Sequence, residues 1–326
     1  MKRPSTFALA TAIVFALSLV AHRTIAQEWP AKPVRIVVSQ PAGGPPDIIA
    51  RLLGQRLSAK FGQPFIIENR IGANGNIGTE YVAKSSPDGY TLVCATSAAL
   101  TANRYLYKSI GYDPVKDLAP IVLITEAPLV ALANRNLPAR DLMQLADLAR
   151  AQPGKLNAGS STGNGSASHL TLELFKMIAK VDLVHVPFKS PGQAFPELLS
   201  GSVQVIFDPI MTSLKHLQAG TLKALGVTTR ARFPAIPDVP TAIEQGFSIE
   251  SSFWAALLGP AGVPRHIVDR MNNEVNVYLS LSDTPAKMGE MGMQPLGGPP
   301  ERLSALISSD SEKWKRVIES SGTRLD

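Results

Sequence analysis

The stretch Val34–Leu57, VRIVVSQPAGGPPDIIARLLGQRL, contains in succession the patterns of a strand, a tight turn and a helix. Its first part, Val34–Val38, is mostly apolar and β-branched, which favours a buried strand. The turn Pro41–Asp47 is rich in Gly and Pro and interrupts this run. Apolar residues then recur at helical spacing until Leu57, and Gly62 is a strong stop signal. The turn therefore leads directly into the N-terminus of a helix.

A helix N-terminus placed at the end of a strand is suited to an anion. Free backbone N–H groups and the positive end of the helix dipole face the ligand, and Gly43 and Gly44 let it approach the backbone closely. Pro45 and Pro46 weaken the site because each lacks an N–H donor. The alternative is an ordinary strand-to-helix turn without a ligand, which one such turn alone does not exclude.

The chain begins with the pattern of a secretory signal peptide. The basic pair Lys2–Arg3 precedes an apolar segment, Phe7–Ala21, and Thr24–Ala26 provides a small-residue cleavage site. The apolar segment is too short for a membrane anchor, and no later apolar run approaches the ~20 residues that a spanning helix needs. We therefore expect removal of residues 1–26 and an exported, soluble protein in the periplasm.

Charge, cysteine and histidine content exclude several classes of function. Three of the 32 basic residues and no acidic residue lie in the leader, which leaves 29 basic against 26 acidic residues and a net charge of +3. Such a mild balance gives no support for nucleic-acid binding. Cys94 is the single cysteine, so no internal disulfide can form, and the five histidines lack the spacing of metal ligands. We expect neither a metal nor a cofactor.

Strand, loop and helix alternate along the rest of the chain, which predicts largely parallel α/β sheets. The polar glycine loop Ser161–Ser166 joins the strand Leu156–Ser160 to the helix Ala167–Ala179, so it repeats the arrangement of Val34–Leu57. Further strands are expected at Pro64–Glu68, Tyr90–Ala95, Leu183–Pro187, Val203–Phe207 and Leu222–Val227.

The chain is long enough for two lobes, each with its own core. Two apolar runs, Ile121–Ile124 and Leu129–Ala133, are separated by Thr125–Pro128, where the chain can pass from one lobe to the other. Ser251–Leu258 is a predicted strand that returns to the first lobe. Two such crossing segments would form a hinge, with the ligand in the cleft between the lobes. The predicted divisions are 27–124 and 253–326 for lobe I and 125–252 for lobe II.

Seven stretches, in one order and over nearly the whole chain after the leader, carry a family pattern. They are VSQPAGGPPDIIARLL, FGQPFIIENRIGANGNIGTEYVAKSSPDGYTL, SSTGNGSASHLTLELF, VDLVHVPFKS, LLSGSVQVIFD, LQAGTLKALGVTT and EKWKRVIESSGTRLD. Together they resemble the extracytoplasmic solute receptors of tripartite tricarboxylate transporters, also called Bug receptors. The resemblance implies an α/β fold of the type II periplasmic binding protein class, with two lobes joined by hinge strands and a cleft that closes on a small carboxylate. It also implies integral-membrane permease subunits as partners.

Receptors of this family generally hold ligand carboxylates with backbone amides, small hydroxyl side chains and waters from two facing loops, without an arginine clamp. The resemblance therefore implies a ligand site built from both lobes. Its lobe I residues are Gln40, Pro41, Ala42, Gly43, Gly44, Asp47 and Ser97. Its lobe II residues are Ser160, Ser161, Thr162, Gly163, Asn164, Ser166, His169, Lys189 and Asp208.

Three departures from the family pattern leave the identity of the carboxylate open. Gln40 stands where similar receptors usually have an aromatic residue, so an amide replaces a ring that would pack on the ligand. Pro46 occupies a position at which a small or hydroxyl residue is common, and Ser190–Pro191 follows Lys189 where glycine is usual. The resemblance thus predicts a small organic acid or an acidic amino acid without choosing between them.

A catalytic interpretation of the lobe II loop is the main alternative. Gly159–Gly163, GSSTG, formally matches the G-x-S-x-G nucleophile elbow, which would make Ser161 the nucleophile of a secreted serine hydrolase. His185, His216 or His266 could serve as its base. We prefer the receptor because no oxyanion-hole motif lies upstream and an anion-binding loop explains the same stretch. A ligand sensor for a membrane kinase is a third interpretation.

Several candidate residues also have purely structural interpretations. His169 can contact the ligand or cap its loop, and Lys189 can face the ligand or the solvent. Asp47 can bind a ligand amine or stabilise the helix dipole. Trp254 can line the pocket or pack in the hinge. We predict a monomeric receptor without enzymatic activity, whose closed and loaded form is recognised by the permease.

Overall fold

The structure is a computed structural model that describes residues 29–325, and the predicted signal peptide lies outside the described residues. Its strands are β1 Val34–Val38, β2 Phe65–Asn69, β3 Thr91–Thr96, β4 Leu118–Asn134, β5 Asn157–Ser160, β6 Val184–Pro187, β7 Val205–Pro209, β8 Leu222–Val227, β9 Ser252–Pro260 and β10 Gln294–Pro295. Its helices are α1 Pro45–Phe61, α2 Asn76–Ala83, α3 Ser97–Leu100, α4 Asn103–Leu106, α5 Leu142–Ala151, α6 Ala167–Ala179, α7 Pro191–Ser200, α8 Ile210–Gln218, α9 Arg265–Leu279, α10 Thr284–Glu290 and α11 Pro300–Ser321.

The stretch from β1 to α1 folds as its sequence predicts. Helix α1 has prolines in its first turn, where their fixed φ suits the helix and no intrahelical donor is lost. It ends at Gly62, whose φ of 69° is left-handed and whose N–H donates to Ser58 O. Asp47 in the first turn and Lys60 in the last turn complement the helix dipole.

The described strands form one sheet in the order β2-β1-β3-β9-β4-β7-β5-β6, and β8 and β10 both pair with β4. In the half that we call lobe I, β1 is parallel to β2 and β3. In the half that we call lobe II, β5 is parallel to β6 and β7. Because parallel neighbours require crossover connections, helices cover the sheet in both halves.

Strand β4 belongs to both lobes. Its 17 residues pair with β9 in lobe I and with β7 and β8 in lobe II. The predicted gap at Thr125–Pro128 does not break the strand, because Thr125 pairs with Ala255 and Pro128 with Ser252 of β9. The chain therefore enters lobe II along β4 and returns along β9.

Within residues 29–325, no helix combines the length and the apolar character needed to span a membrane.

Helix α11 packs against both lobes. Leu303 and Ile307, in its first half, join the apolar cluster on one face of the lobe I sheet. Trp314 and Ile318, in its second half, join the cluster around Phe175, which is formed mainly by lobe II residues. A helix of 22 residues is about 33 Å long at ~1.5 Å per residue, so it can reach both cores. The prediction placed residues 253–326 in lobe I alone, whereas α11 connects the two lobes.

Candidate ligand-binding site

The carboxyl ends of the strands in the two lobes point toward each other. β1 and β3 run in the direction of β4, which leads from lobe I into lobe II, whereas β5 and β7 run against it. Thr96 at the end of β3 is level with Thr125 of β4, and Pro209 at the end of β7 lies opposite Leu129. The stretch of β4 from Thr125 to Leu129 is about 13 Å long at ~3.3 Å per residue. Ligands of α/β sheets bind outside the carboxyl ends of the strands, which face this gap.

The lobe I loop is the turn Pro41–Asp47, which leads from β1 into α1. The carboxylate of Asp47 forms its hydrogen bonds with groups of the protein itself. Oδ2 accepts hydrogen bonds from Gly43 N–H and Arg51 Nε, both at 2.9 Å. Oδ1 accepts from Arg51 Nη2 and Asn69 Nδ2, also at 2.9 Å. The hydrogen bond from Arg51 is the main cause that lowers the pKa of Asp47 to about 2. Asn69 Nδ2 also donates to Gln40 O at 3.1 Å, so Asp47 holds the loop in shape instead of offering its oxygens to a ligand.

The lobe I loop keeps few free backbone donors. The N–H of Gly43 is used inside the loop, and the N–H of Gly44 donates to Pro41 O at 3.3 Å. Among the described residues, the N–H groups of Gln40 and Ala42 find no acceptor. Gly43 has a φ of 79°, which glycine adopts without strain, and it is exposed. Two amides therefore remain for a ligand at this loop.

Three hydroxyl groups lie at the ends of β1 and β3. Ser97 is buried and begins α3 directly after β3. Ser39 Oγ and Thr96 Oγ1 are buried and have no hydrogen-bond partner within residues 29–325. Such groups are rare, because a buried unsatisfied hydroxyl costs about 1–3 kcal/mol. Ser39 and Thr96 are not among the residues predicted from the sequence, although they are polar residues at the carboxyl ends of two apolar strands, which is a signal that could have identified them.

The lobe II loop is Ser161–Ser166, between β5 and α6. The hydroxyl group of its first residue is hydrogen-bonded within the protein. Ser161 Oγ donates to one oxygen of Asp208, and Thr212 Oγ1 donates to the other. The N–H of Ser161 donates to Ser168 Oγ at 3.2 Å. Asp208 is fully buried, and burial raises its pKa to about 6. The structure thus brings Ser161 and Asp208 together, but the two side chains satisfy each other.

His169 and His185 stack behind the same loop. Their ring centroids are 3.8 Å apart and the ring planes differ by 8°. His169 Nδ1 accepts from the N–H of Gly165 at 3.0 Å, and His185 Nε2 lies 2.8 Å from Ser160 Oγ. Ser166 Oγ caps α6 by accepting from the N–H of His169 at 3.2 Å. His169 therefore caps its loop, and Ser160 and Ser166 shape the loop from within.

Three consecutive amides at the tip of the lobe II loop remain free. Within residues 29–325, the N–H groups of Thr162, Gly163 and Asn164 have no acceptor. Thr162 and Asn164 are exposed, and Gly163 has a φ of 85°. Helix α6 has 13 residues and begins at Ala167, so its positive end reinforces these donors. Free amides beside a helix N-terminus form an arrangement that suits a carboxylate.

Lys189 follows β6 and lies beside this tip. The preceding carbonyl, Phe188 O, is 3.8 Å from the position that a Cβ on Gly163 would occupy. The N–H of Lys189 donates to Gln193 Oε1 at 3.2 Å, which fixes the backbone at the start of α7. Its side chain is exposed, and among the described residues it has no ion-pair partner. Lys189 thus adds a free positive charge close to the tip.

The observed contacts do not support the hydrolase alternative. A serine nucleophile needs a base within hydrogen-bond reach, and that base must itself be oriented by a third group. The hydroxyl of Ser161 is bonded to Asp208, while His185 contacts Ser160 instead. In the described part of the chain, no histidine forms a hydrogen bond with Ser161. The G-x-S-x-G match is therefore a loop pattern and not a catalytic site.

Two α/β lobes, with loops facing each other across a pair of crossing strands, define a solute receptor of the periplasmic binding protein class. The chain belongs to the receptor family of tripartite tricarboxylate transporters. The family model TctC, described as "Tripartite tricarboxylate transporter family receptor", matches residues 49–323. The family predicted from the sequence is confirmed.

Known relatives agree with this assignment. Protein BugT of Bordetella pertussis is 32% identical over 315 residues, which are 96% of this chain and 96% of BugT. The solved structure "R. palustris Rpa4515 with adipate" has a TM-score of 0.78 and 34% identity, over 90% of this chain and 99% of that one. MatC from Rhodopseudomonas palustris, with bound malate, has a TM-score of 0.75 and 32% identity, over 89% and 100%. The predicted fold class is confirmed.

Proposed function

We propose that this protein captures a small carboxylate between the two loops and delivers it to a membrane permease. The observation that carries the proposal is the row of free amides at Thr162–Asn164, next to the N-terminus of α6 on a loop that faces lobe I. The relatives Rpa4515 and MatC hold adipate and malate, which are both carboxylic acids. The same class of ligand suits the donors of this chain.

In the proposed site, one ligand carboxylate accepts hydrogen bonds from Thr162, Gly163 and Asn164. The opposite end of the ligand meets the N–H groups of Gln40 and Ala42 near the N-terminus of α1. Gly43 and Gly44 allow a close approach, and Ser97 and Lys189 stand at the margins. The remaining predicted residues act as positioning residues because their polar groups are bound within the protein: Asp47, Ser160, Ser161, Ser166, His169 and Asp208.

Capture operates by closure of the lobes. A ligand favours the closed form only through contacts that the open form lacks, and contacts to loops on different lobes meet this condition. Strands β4 and β9 cross between the lobes and absorb the rotation. We further propose that the protein acts as a monomer in the periplasm after removal of its leader, and that permease subunits recognise the closed form.

A thermal-shift series with purified residues 27–326 tests the ligand class. The test compounds are adipate, malate and glutamate, and adipamide is the matched neutral control because it has the same chain without the charges. A ligand at 100 times its Kd stabilises the folded protein by about 2.7 kcal/mol, which gives a measurable rise in Tm. The protein is refolded first so that no ligand is carried through purification. No rise with any acid, or an equal rise with adipamide, would refute the proposed ligand class.

A further inference from the structure

Arg51 lies outside the lobe I loop and donates hydrogen bonds to the carboxylate of Asp47. It lies one turn further along α1, and its guanidinium binds both oxygens of Asp47 at 2.9 Å. Its Nη2 also donates to Asn69 Oδ1 at 3.1 Å, so the loop, α1 and the end of β2 are tied together. The side chain of Asp47 is 3% exposed, whereas that of Arg51 is 49% exposed. Arg51 therefore covers a buried carboxylate on its solvent side.

A carboxylate at this position opposes anion binding unless its charge is cancelled. Residues 39–46 read SQPAGGPP and contain no basic side chain, so this stretch offers an anion neutral donors and the helix dipole but no cation. Asp47 stays ionised at neutral pH because its pKa is about 2. Its carboxylate lies 2.9 Å from the N–H of Gly43, inside the loop itself. An anion bound at the amides of Gln40 and Ala42 would share the loop with this carboxylate, and two like charges in a partly buried site repel each other.

We propose that Arg51 is a positioning residue that makes the lobe I loop competent for an anion without contacting the ligand. It holds Asp47 in the geometry that closes the loop, and it cancels the negative charge of Asp47. Asn69 cannot replace it, because its amide donates to Asp47 but carries no charge. The inference rests on the proposed function, since it assumes an anionic ligand between the lobes.

The test uses two variants and a matched control on the same helix. Arg51→Gln removes the cation and leaves Asp47 uncompensated, and the double variant Asp47→Asn/Arg51→Gln removes both charges. Arg56→Gln is the control, because it removes an arginine of α1 that pairs with Glu274 at 2.8 Å, while Lys60 remains 3.6 Å from Glu274. Calorimetry measures the affinities for adipate and malate. We expect about tenfold weaker binding in Arg51→Gln, or ~1.4 kcal/mol, most of it regained in the double variant, and no change in the control.

A pH series separates the charge effect from a structural effect. Without Arg51, the main influence that lowers the pKa of Asp47 is gone, so Asp47 takes up a proton at higher pH than in the wild type. The ratio of the Kd of Arg51→Gln to that of the wild type should therefore shrink as the pH falls from 7 to 4. Ionisation of the acid itself cancels in this ratio, because both proteins meet the same ligand. A merely structural role would leave the ratio flat.

Two outcomes overturn the inference, and each differs from a failure of the proposed function. The first is a double variant that binds as weakly as Arg51→Gln, with a flat pH ratio. If the wild type binds neither acid, the proposed ligand class fails, and the loop is then examined directly by amide hydrogen exchange of the ligand-free protein. Arg51→Gln must exchange faster at Ala42–Gly44 than Arg56→Gln does. Equal exchange at these amides is the second outcome that overturns the inference.

Discussion

Trp254 Nε1 donates a hydrogen bond to Asp310 Oδ2 at 2.8 Å, and this bond ties the hinge strand β9 to the middle of helix α11. Trp254 is 1% exposed and lies opposite Glu126 of β4. Asp310 separates Ile307, which packs in lobe I, from Trp314, which packs in lobe II. The pair therefore lies where α11 passes from one lobe to the other, and Trp254 belongs to the hinge.

Replacement of Asp310 by alanine should destabilise the protein, because the buried indole N–H of Trp254 then has no acceptor. We expect the free energy of unfolding to fall by about 1–3 kcal/mol, measured by urea denaturation. Ser308→Ala is the control, since Ser308 is exposed on the same helix and its hydroxyl donates to Ser304 O. The double variant Asp310→Ala/Trp254→Phe should lose less than the sum of the single losses. Wild-type stability in Asp310→Ala would contradict the assigned role.

The buried carboxyl of Asp208 should make stability depend on pH in an unusual direction. Burial raises its pKa from 3.8 to about 6, so between these values the folded protein keeps a proton that the unfolded chain has released. Asp208 therefore destabilises the fold increasingly as the pH rises through this window, and fully above it. Relative to the wild type, Asp208→Asn should gain on the order of 3 kcal/mol between pH 4 and pH 7.

Urea midpoints of both proteins at several pH values measure this difference. Other titrating groups contribute equally to the two proteins, so they cancel in the comparison. A gap between wild type and Asp208→Asn that stays constant from pH 4 to pH 7 would show that Asp208 titrates normally in the folded state.

His185 should remain neutral well below the usual range of histidine. Burial is the main cause that lowers its pKa from 6.5 to about 4, and the electrostatic interaction with the neighbouring His169 adds to this effect. The unfolded chain then takes up a proton first as the pH falls, so the contribution of His185 to stability is complete above pH 6.5 and is lost toward pH 4. An NMR titration of the imidazole nitrogens measures the midpoint directly. A midpoint near 6.5 would mean that the stack with His169 does not bury His185 from water.

Local sequence patterns predicted those parts of the fold that are determined by residues close together in the sequence. The stretch Val34–Leu57 shows its strand, turn and helix because β-branched runs, glycine and helical spacing act within a few residues. The contribution of α11 to both lobes could not be predicted in this way. Amphipathic spacing shows which face of Pro300–Ser321 is buried, but not that Leu303 and Trp314 enter different cores. That assignment depends on tertiary packing.

The candidate ligand-binding site could also be predicted only in part from local sequence patterns. The loops were predicted because glycines and small polar residues follow apolar strands, but the partner of each polar atom is set by distant segments. Asp47 is occupied partly by Asn69 of β2, and Ser161 is occupied by Asp208 of β7. Because the partners lie far apart in the sequence, local patterns do not reveal these pairs, and in the proposed site both residues act as positioning groups. Which backbone amides remain free depends on the hydrogen bonds of the whole folded chain, so local sequence patterns do not reveal them.

Gly163 and Gly246 offer a matched pair for testing where the ligand binds. Their φ values are 85° and 84°, so alanine should cost each about 1 kcal/mol of stability through the backbone alone. A Cβ on Gly163 would lie 3.8 Å from Phe188 O, and one on Gly246 would meet nothing within 4 Å. Neither variant therefore introduces a clash. Only the methyl group at residue 163 would stand among the free amides of the proposed site.

We expect Gly163→Ala and Gly246→Ala to show similar losses of Tm without ligand. With adipate or malate at a concentration that stabilises the wild type, Gly246→Ala should keep the full rise in Tm, whereas Gly163→Ala should lose most of it. Because alanine costs both variants similar stability through the backbone, the difference between their rises in Tm reports the effect of the methyl group at residue 163 on ligand binding. If both variants respond to the acid as the wild type does, the ligand does not contact the lobe II tip, and the carboxylate must be held elsewhere in the cleft.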